Sequence, residues 1–414
     1  MLLKKKIRRI PLISGIIIAA SLLILSPAVQ AQITTGEVTG EVNSIQSAVP
    51  FLTIAPDSRA GAMGDAGVAT SPDINSQHWN PAKYVFMEGQ GGIALSYTPW
   101  LRNLVNDINL AYLTGYYKID GQQVLSGSLR YFSLGDIVFT NLQGQTEKTF
   151  NPNEFAIDAA YSRLFSDNFS GGITFRFIRS DLTGRYSNSG ESKPGTSVAA
   201  DLAFYYTNDI DISGNDAQLS FGTNISNIGT KISYTETQEQ AFIPINWRLG
   251  GALKYEVDQY NSFAFTLDLN KLLVPTPPVY YEDSTGADGD EVIQYGKNPD
   301  VSVPLGMIRS FWDAPGDPRD GKSSSVLREE LHEITYSAGV EYLYRDQFAI
   351  RGGYFHEHAT KGNRKFFTVG VGLKLNVFEL DFAYLIPTSQ TNPLANTLRF
   401  TLGFDFDRYR SNNN

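Results

Sequence analysis

From Gly91 onward the chain repeats one pattern, stretches of ten to fourteen residues with a large apolar side chain at every second position. A period of two is that of a β-strand, whose side chains alternate between faces. Strands in an ordinary sandwich average about five or six residues. A tilted strand crossing a bilayer needs about 9–11, which these stretches match. The pattern predicts strands at 91–100, 107–119, 122–134, 153–165, 168–180, 196–208, 217–227, 244–257, 260–271, 333–345, 347–358, 364–375, 376–387 and 396–406, fourteen in all. Asp120-Gly121, Ser166-Asp167, Asp258-Gln259 and Asp346 predict tight turns, whereas 135–152, 181–195, 228–243 and 272–332 predict loops. Short turns at one end, long loops at the other and an even strand count are marks of an outer-membrane barrel.

The two faces differ in kind. One carries Leu129 and Tyr131; Phe155, Ile157 and Tyr161; Phe169, Ile173, Phe175 and Phe177; Leu202, Phe204 and Tyr206. It continues with Ile245, Trp247, Leu249, Leu253 and Tyr255, then Phe378, Leu380, Phe382, Tyr384 and Ile386. The other carries Arg130, Asp158, Arg176, Asp201, Arg248, Asp268, Glu341, Arg351, Lys374, Asp381 and Arg399. Mid-strand charges are intolerable in a soluble core unless paired, but they suit a barrel lumen. A large soluble sandwich, the alternative, leaves the shared charged face unexplained. The signs alternate along most of the strand order, which predicts a salt-bridged belt with Arg130 on Asp158, Arg176 on Asp158 or Asp201, and Arg351 on Glu341.

The fold class expected is therefore an all-β membrane protein, a 14-stranded antiparallel outer-membrane β-barrel with an N-terminal hatch. The beginning of the chain agrees with export. Lys4, Lys5, Lys6, Arg8 and Arg9 precede an apolar run from Ile10 to Leu25, and Val29-Gln30-Ala31 offers small residues for cleavage. Residues 1–31 read as a signal peptide; the run is short and broken by Pro11 and Pro27, which disfavours a membrane-anchoring helix. Its removal takes five positive charges, leaving 29 Lys and Arg against 43 Asp and Glu, so an overall charge of −9 becomes −14. An acidic chain argues against nucleic-acid binding. The absence of cysteine excludes disulfides, Cys-ligated metals and a lipidated Cys, and the enrichment in Phe, Tyr and Gly favours strands and turns.

Residues 32–90 lack long alternation and read as a hatch folded into the lumen, with a periplasmic tail as the alternative. Asp57, Arg59, Asp65, Asn80 and Pro81 are the residues expected to hold it, and Gly61, Gly64 and Gly67 are expected to let its backbone approach the wall. Residues 91–414 form the barrel in this division.

The segment FLTIAPDSRAGAMGDAGVATSPDINSQHWNPAKYVF, Phe51 to Phe86, resembles the N-terminal signature of the PorV family, the FadL-like outer-membrane barrels of the type IX secretion system. NKLLVPTPP (Asn270 to Pro278), SFWDAPGDP (Ser310 to Pro318), Tyr342, and the run from Gly362 to Phe400 extend the likeness over essentially the mature chain. Asn80-Pro81-Ala82 is also the short motif of FadL-like hatches. Gly316 to Leu331 departs from the pattern in being longer and more polar.

The resemblance implies a non-enzymatic component of the Gram-negative outer membrane, in contact with lipid and lipopolysaccharide. It implies binding of the C-terminal signal domain of exported cargo, and transfer from the translocon barrel to a signal-peptidase-like attachment protein at the cell surface. The rivals are a FadL-like channel for small hydrophobic molecules and an outer-leaflet enzyme acting on lipid or lipopolysaccharide.

No cofactor is expected. His356-Glu357-His358 ends the eleventh strand, where two histidines at i, i+2 could share a metal, but no third ligand has recognisable spacing. Asp283, Asp288, Asp290 and Glu291 lack the full EF-hand spacing and read as solvated loop charge. The connection 272–332 far exceeds the about 12–15 residues of an unstructured loop. Pro275-Thr276-Pro277-Pro278 stiffens its start, and the run from Val303 to Trp312 is apolar enough to dock. Met307, Ile308, Phe311 and Trp312 are the expected anchor for translocon or cargo; folding back of Phe311 and Trp312 onto the barrel mouth is the alternative.

Overall fold

The computed structural model describes residues 43–101, 107–141, 143–182, 193–235, 240–285, 291–316, 324–389, 394 and 397–406. The expected signal peptide and residues 32–42 of the expected hatch lie outside these residues, as do Asp288 and Asp290 and residues 317–323.

Among the described residues the strands are β1 (Gly91–Pro99), β2 (Ile108–Lys118), β3 (Gln123–Leu134), β4 (Ile137–Thr140), β5 (Thr146–Phe150) and β6 (Asn153–Ser166). Next come β7 (Phe169–Asp181), β8 (Gly195–Ile212), β9 (Asn215–Gly229), β10 (Asn246–Asp258), β11 (Asn261–Leu272), β12 (Val279–Thr285) and β13 (Glu291–Tyr295). The last are β14 (Thr335–Tyr344), β15 (Phe348–His356), β16 (Lys365–Leu375), β17 (Phe378–Pro387) and β18 (Leu398–Asp405). Fourteen of them close an antiparallel barrel, and the hairpins β4–β5 and β12–β13 stand apart from it.

Closure is made by β18 pairing back on β1, from Gly92 opposite Asp405 to Tyr97 opposite Phe400. Every backbone donor and acceptor in the wall then has a neighbour strand, as the bilayer core demands. The alternation read from the sequence becomes inside and outside. On β1, Ile93, Leu95 and Tyr97 point outward and are about half exposed, while Ala94, Ser96 and Thr98 are buried in the lumen.

Three expectations are corrected. The hairpin β8–β9 runs further than 196–208 and 217–227, to a tight turn at Ser213-Gly214 where both residues have positive φ. Its tip pairs polar residues, Asp209 with Gln218 and Asp211 with Asp216, so the strands continue where the apolar alternation stops. The loops expected at 135–152 and 272–332 are partly ordered, carrying the two hairpins and two helices described below. Ile245 precedes β10 and is fully buried in an apolar cluster with Phe51, Phe132 and Ile243, not on the lipid face.

The N-terminal segment makes only short turns of helix: a 3-10 turn at Pro50–Thr53, α1 (Ser58–Gly61), α2 (Ser76–Trp79) and a second 3-10 turn at Pro81–Phe86. Local chemistry accounts for the starts. Asp57 caps α1 by accepting from Ala60 N at 2.9 Å, and Asn80 caps the second 3-10 turn by accepting from Ala82 N at 3.1 Å with Pro81 following it. Between these turns the segment lies directly on the wall. A Cβ on Gly353 would stand 2.1 Å from Gly64 N, and Gly64 itself has φ 72°, so glycine is required on both sides of the contact.

Candidate functional site

The inward charges do not form one belt. Arg176 Nη2 lies 3.1 Å from Asp158 Oδ2 and 2.9 Å from Asp201 Oδ2, a triad across β6, β7 and β8. Arg351 Nε lies 2.7 Å from Glu341 Oε1, its direct partner in the β14–β15 register. The same guanidinium reaches over β16 to Asp381 on β17. Gly372 makes that reach possible, since a Cβ there would sit 2.4 Å from Asp381 Oδ1.

The expected Arg130–Asp158 pair is absent. Register puts Ala156 opposite Arg130 and Ser128 opposite Asp158. Arg130 instead donates to the carbonyl oxygens of Leu52 at 2.8 Å and Phe51 at 3.3 Å, and stands 2.6 Å from His78 Nδ1. Arg248 lies over the Trp79 ring at 5.4 Å. Asp268 accepts from the backbone of Gly67 at 2.7 Å and Val68 at 2.9 Å. Arg399 pairs with Asp65 at 2.9 Å. Lys374 faces Glu379 in register near the short-turn end and makes no ion pair among the described residues. A belt needs carboxylates in register on the next strand; where the N-terminal segment offers nearer partners, the wall charges turn to it.

The same segment supplies its own half of the network. Arg59 binds Asp73 at 2.8 Å and Glu341 at 2.9 Å, tying the segment to the Glu341–Arg351–Asp381 triad. Asp57 accepts from Trp79 Nε1 at 2.6 Å. Asn80 Nδ2 donates to Val68 O at 3.1 Å and Phe204 O at 2.9 Å, and Pro81 O accepts from Ser162 Oγ at 2.8 Å. Gly61 packs on the Arg399 side chain and Gly64 on the backbone of Tyr354. Gly67 departs from expectation, because the group a Cβ there would meet is Trp79 of the segment itself.

Asp73, Gln77, His78 and Lys83 were not anticipated. Gln77 donates to Asp158 at 2.7 Å, and the fully buried Lys83 donates to Gly67 O at 2.9 Å and Thr70 Oγ1 at 3.1 Å. The signal was available for Lys83, a single charge inside the small apolar run Pro81-Ala82-Lys83-Tyr84-Val85.

At the long-loop end, the connection between β11 and β14 holds the hairpin β12–β13 and the helices α3 (Val303–Arg309) and α4 (Ser324–His332). Asp283 and Glu291 fall on that hairpin. Lys271 Nζ lies 2.9 Å from Glu330 and 2.7 Å from Glu333, and Lys361 Nζ lies 2.6 Å from Glu329. Thr276 donates to Glu333 at 2.7 Å, so the acidic residues of α4 and Glu333 just after it clamp the connection to the barrel rim. Met307 packs inward against the buried cluster of the mouth, which removes it from the exposed anchor. Phe311 sets its edge on Trp247 with centroids 6.1 Å apart, yet remains 42% exposed. Ile308 and Trp312 are 57% and 49% exposed. His358 does not share a strand face with His356, because β15 ends at His356 and the His358 ring stacks on His332 at 3.5 Å.

Asp313, in the connection after α3, has its carboxyl pushed up to about 7 by burial first and by Glu330 and Glu333 next. A raised carboxyl means that the fold holds the proton more tightly than the unfolded chain. The resulting stabilisation is full below the ordinary value of 3.8 and is lost as pH rises through about 7. Amide protection at 313–316, corrected for intrinsic exchange, is expected to fall over that window in the native chain and to be nearly flat in Asp313→Asn. A native profile equally flat would refute the assignment.

A family model described as type IX secretion system protein PorV matches residues 37–279. No curated protein matches the chain. Among solved structures, the Pseudomonas putida toluene transporter TodX is similar with a TM-score of 0.45 and 9% identity, covering 88% of this chain and 98% of that one. The Ralstonia pickettii toluene transporter TbuX gives 0.40 and 10%, covering 88% and 99%. A Pseudomonas aeruginosa FadL homologue gives 0.38 and 10%, covering 85% and 99%.

Proposed function

This chain belongs to the PorV family of type IX secretion system proteins and is an outer-membrane β-barrel of that system, and from that premise we propose that it captures exported cargo by the C-terminal signal domain. In this reading it accepts cargo at the translocon barrel and passes it to the signal-peptidase-like attachment protein at the cell surface. Its outward apolar face contacts lipid, with lipopolysaccharide at the outer rim. We read it as a binding and transfer component, not an enzyme, because most of its buried charges are committed to wall triads or to the hatch.

One observation carries the reading. The connection between β11 and β14 is folded into two helices clamped to the rim, and it presents Ile308, Phe311 and Trp312 outward at the long-loop end. A pre-ordered apolar patch with a central aromatic pair loses little entropy on binding, which is what a protein-capturing surface requires. Asp57, Arg59, Gly61, Gly64, Asp65, Asn80 and Pro81 hold the hatch beneath it and do not touch cargo.

A double variant, Phe311→Ala with Trp312→Ala, is expected to weaken capture roughly 30-fold, the effect of losing one hot spot worth about 2 kcal/mol. Pull-down is done with cargo carrying or lacking its C-terminal signal domain, and heat-modifiable migration reports that the barrel assembled. Unchanged binding to cargo and translocon would refute the anchor.

A second reading, a channel for small hydrophobic molecules, has one observation in its favour. A cavity of about 300 Å³ lies above the hatch, lined in part by Trp79, Trp100, Phe355 and Phe366. Uptake of a hydrophobic solute by proteoliposomes would distinguish it, since cargo capture needs no such flux.

A further inference from the structure

The cavity at the long-loop end, about 300 Å³ in volume, contains a charge that no neighbour answers. Among the described residues, four basic and three acidic side chains line it. Arg399 pairs with Asp65 at 2.9 Å, Arg364 with Glu357 at 2.7 Å and Lys361 with Glu333 at 3.1 Å. Arg248 is left over. It is only 5% exposed, and no carboxylate lies within 4 Å of it among the described residues.

Its one polar neighbour is not an acceptor. Arg130 Nη2 stands 2.6 Å from His78 Nδ1. A guanidinium can only donate, so Nδ1 accepts and the ring proton sits on Nε2. Arg248 Nη2 lies 3.4 Å from that Nε2, donor against donor. The Trp79 ring, with its centroid 5.4 Å from the guanidinium, supports the cation through its face and leaves the N–H groups unbound.

Two carboxamides beside it are in the same condition. Asn270 stands opposite Arg248 in the β10–β11 register, and Asn246 lies two residues earlier on the same face of β10. Both line the cavity, and neither side chain makes a hydrogen bond among the described residues. Asn246 is 7% exposed. Burying a charge without a partner is costly, and a guanidinium flanked by amides is a donor set for a carboxylate, which arginine holds through two parallel N–H bonds. Trp79, Trp100, Phe355 and Phe366 line the same space, so the body of the acid that fits is apolar or aromatic.

We propose that this cavity binds an apolar carboxylate through Arg248, Asn246 and Asn270, supplied either by the C-terminus of a peptide or by a free small acid. The single uncompensated cation calls for a single negative charge. Phe311 and Trp312 do not line the cavity, so the proposal does not rest on the capture loop. It shares its cavity with the channel reading, and binding without uptake would refute that reading while leaving this one standing.

Titration calorimetry on the full-length barrel in detergent tests it, comparing phenylacetate and the peptide Gly-Gly-Phe with the amide of each. At least one acid is expected to bind one-to-one, and its amide at least about tenfold more weakly, as loss of a charge-assisted contact predicts. That comparison uses the native chain and needs no variant. Arg248→Gln is expected to weaken the acid by a similar factor and to leave the amide unchanged. Arg248 holds no carboxylate, so its removal strands no partner, and heat-modifiable migration reports that the barrel assembled. Asn246→Ala removes a side chain without a partner and is expected to weaken the acid several-fold. Tighter binding of the peptide assigns the peptide source, and tighter binding of phenylacetate assigns the free acid. No binding of either acid, equal binding of acids and amides, or an acid affinity unchanged in both variants would overturn the proposal.

Discussion

Replacement of Arg59 with Met is expected to release the hatch while leaving the barrel wall closed. Arg59 is buried and holds two carboxylates at once, Asp73 at 2.8 Å on the N-terminal segment and Glu341 at 2.9 Å on β14. Methionine fills much of the space but removes the charge, so Asp73 and Glu341 lose their shared cation in a largely buried site. Breaking a buried pair by removing one partner costs about 3–5 kcal/mol, since the stranded charge is the expensive part. Glu341 keeps Arg351, which places the loss on the hatch side. Hydrogen exchange at 57–80 should speed up markedly, and cells carrying the variant should admit antibiotics excluded by ordinary porins. Arg59→Lys is expected to fall between, because a single ammonium cannot reproduce the forked geometry. Native protection at 57–80 in Arg59→Met would show that the hatch is held by its apolar contacts instead.

Arg176→Met should act on the wall itself. Its guanidinium is the sole cation within ion-pair distance of both Asp158 and Asp201 among the described residues. Removing it leaves two buried carboxylates on flanking strands, and the expected loss is again about 3–5 kcal/mol, now in barrel stability. Urea-driven unfolding in detergent should shift to lower concentration, and the heat-modifiable form should convert at lower temperature. The sharper test is rescue. Asp158→Asn and Asp201→Asn added to Arg176→Met remove the stranded charges, and most of the lost stability should return, because a complete buried ion triad is near neutral against a neutral equivalent. A triple variant as weak as the single one would mean that the triad sets the strand register and does more than satisfy its own charges.

These two arginines also mark how far the sequence can be read. Arg176 meets the partners that the sequence predicts because Asp158, Arg176 and Asp201 lie on consecutive barrel strands and face the same way. Alternation with a period of two makes the facing of a residue a local property of its neighbours. The same locality makes fourteen strands, the lipid face and the short-turn end legible in the sequence, and it fails where polar residues carry a strand on past the bilayer, at the tip of β8–β9, and at Ile245, which lies just before its strand. Arg130 shows the limit. It faces the lumen as expected, but its distance from Asp158 depends on register, and a shift of two residues between strands sends it to the backbone of Leu52.

The aromatic and proline content of the N-terminal segment also argues, from sequence alone, against simple disorder. Where that segment sits, and which wall charges it takes, only the tertiary structure decided. Arg59 meets Glu341 across 282 residues of chain, and Gly64 meets Gly353 with no room for a Cβ. Met307 was turned into the mouth cluster, whereas its neighbour Ile308 was left outside. Contacts of this kind depend on two distant surfaces being brought together by barrel closure. Periodicity fixes which side of a strand a residue occupies, and closure fixes what it finds there.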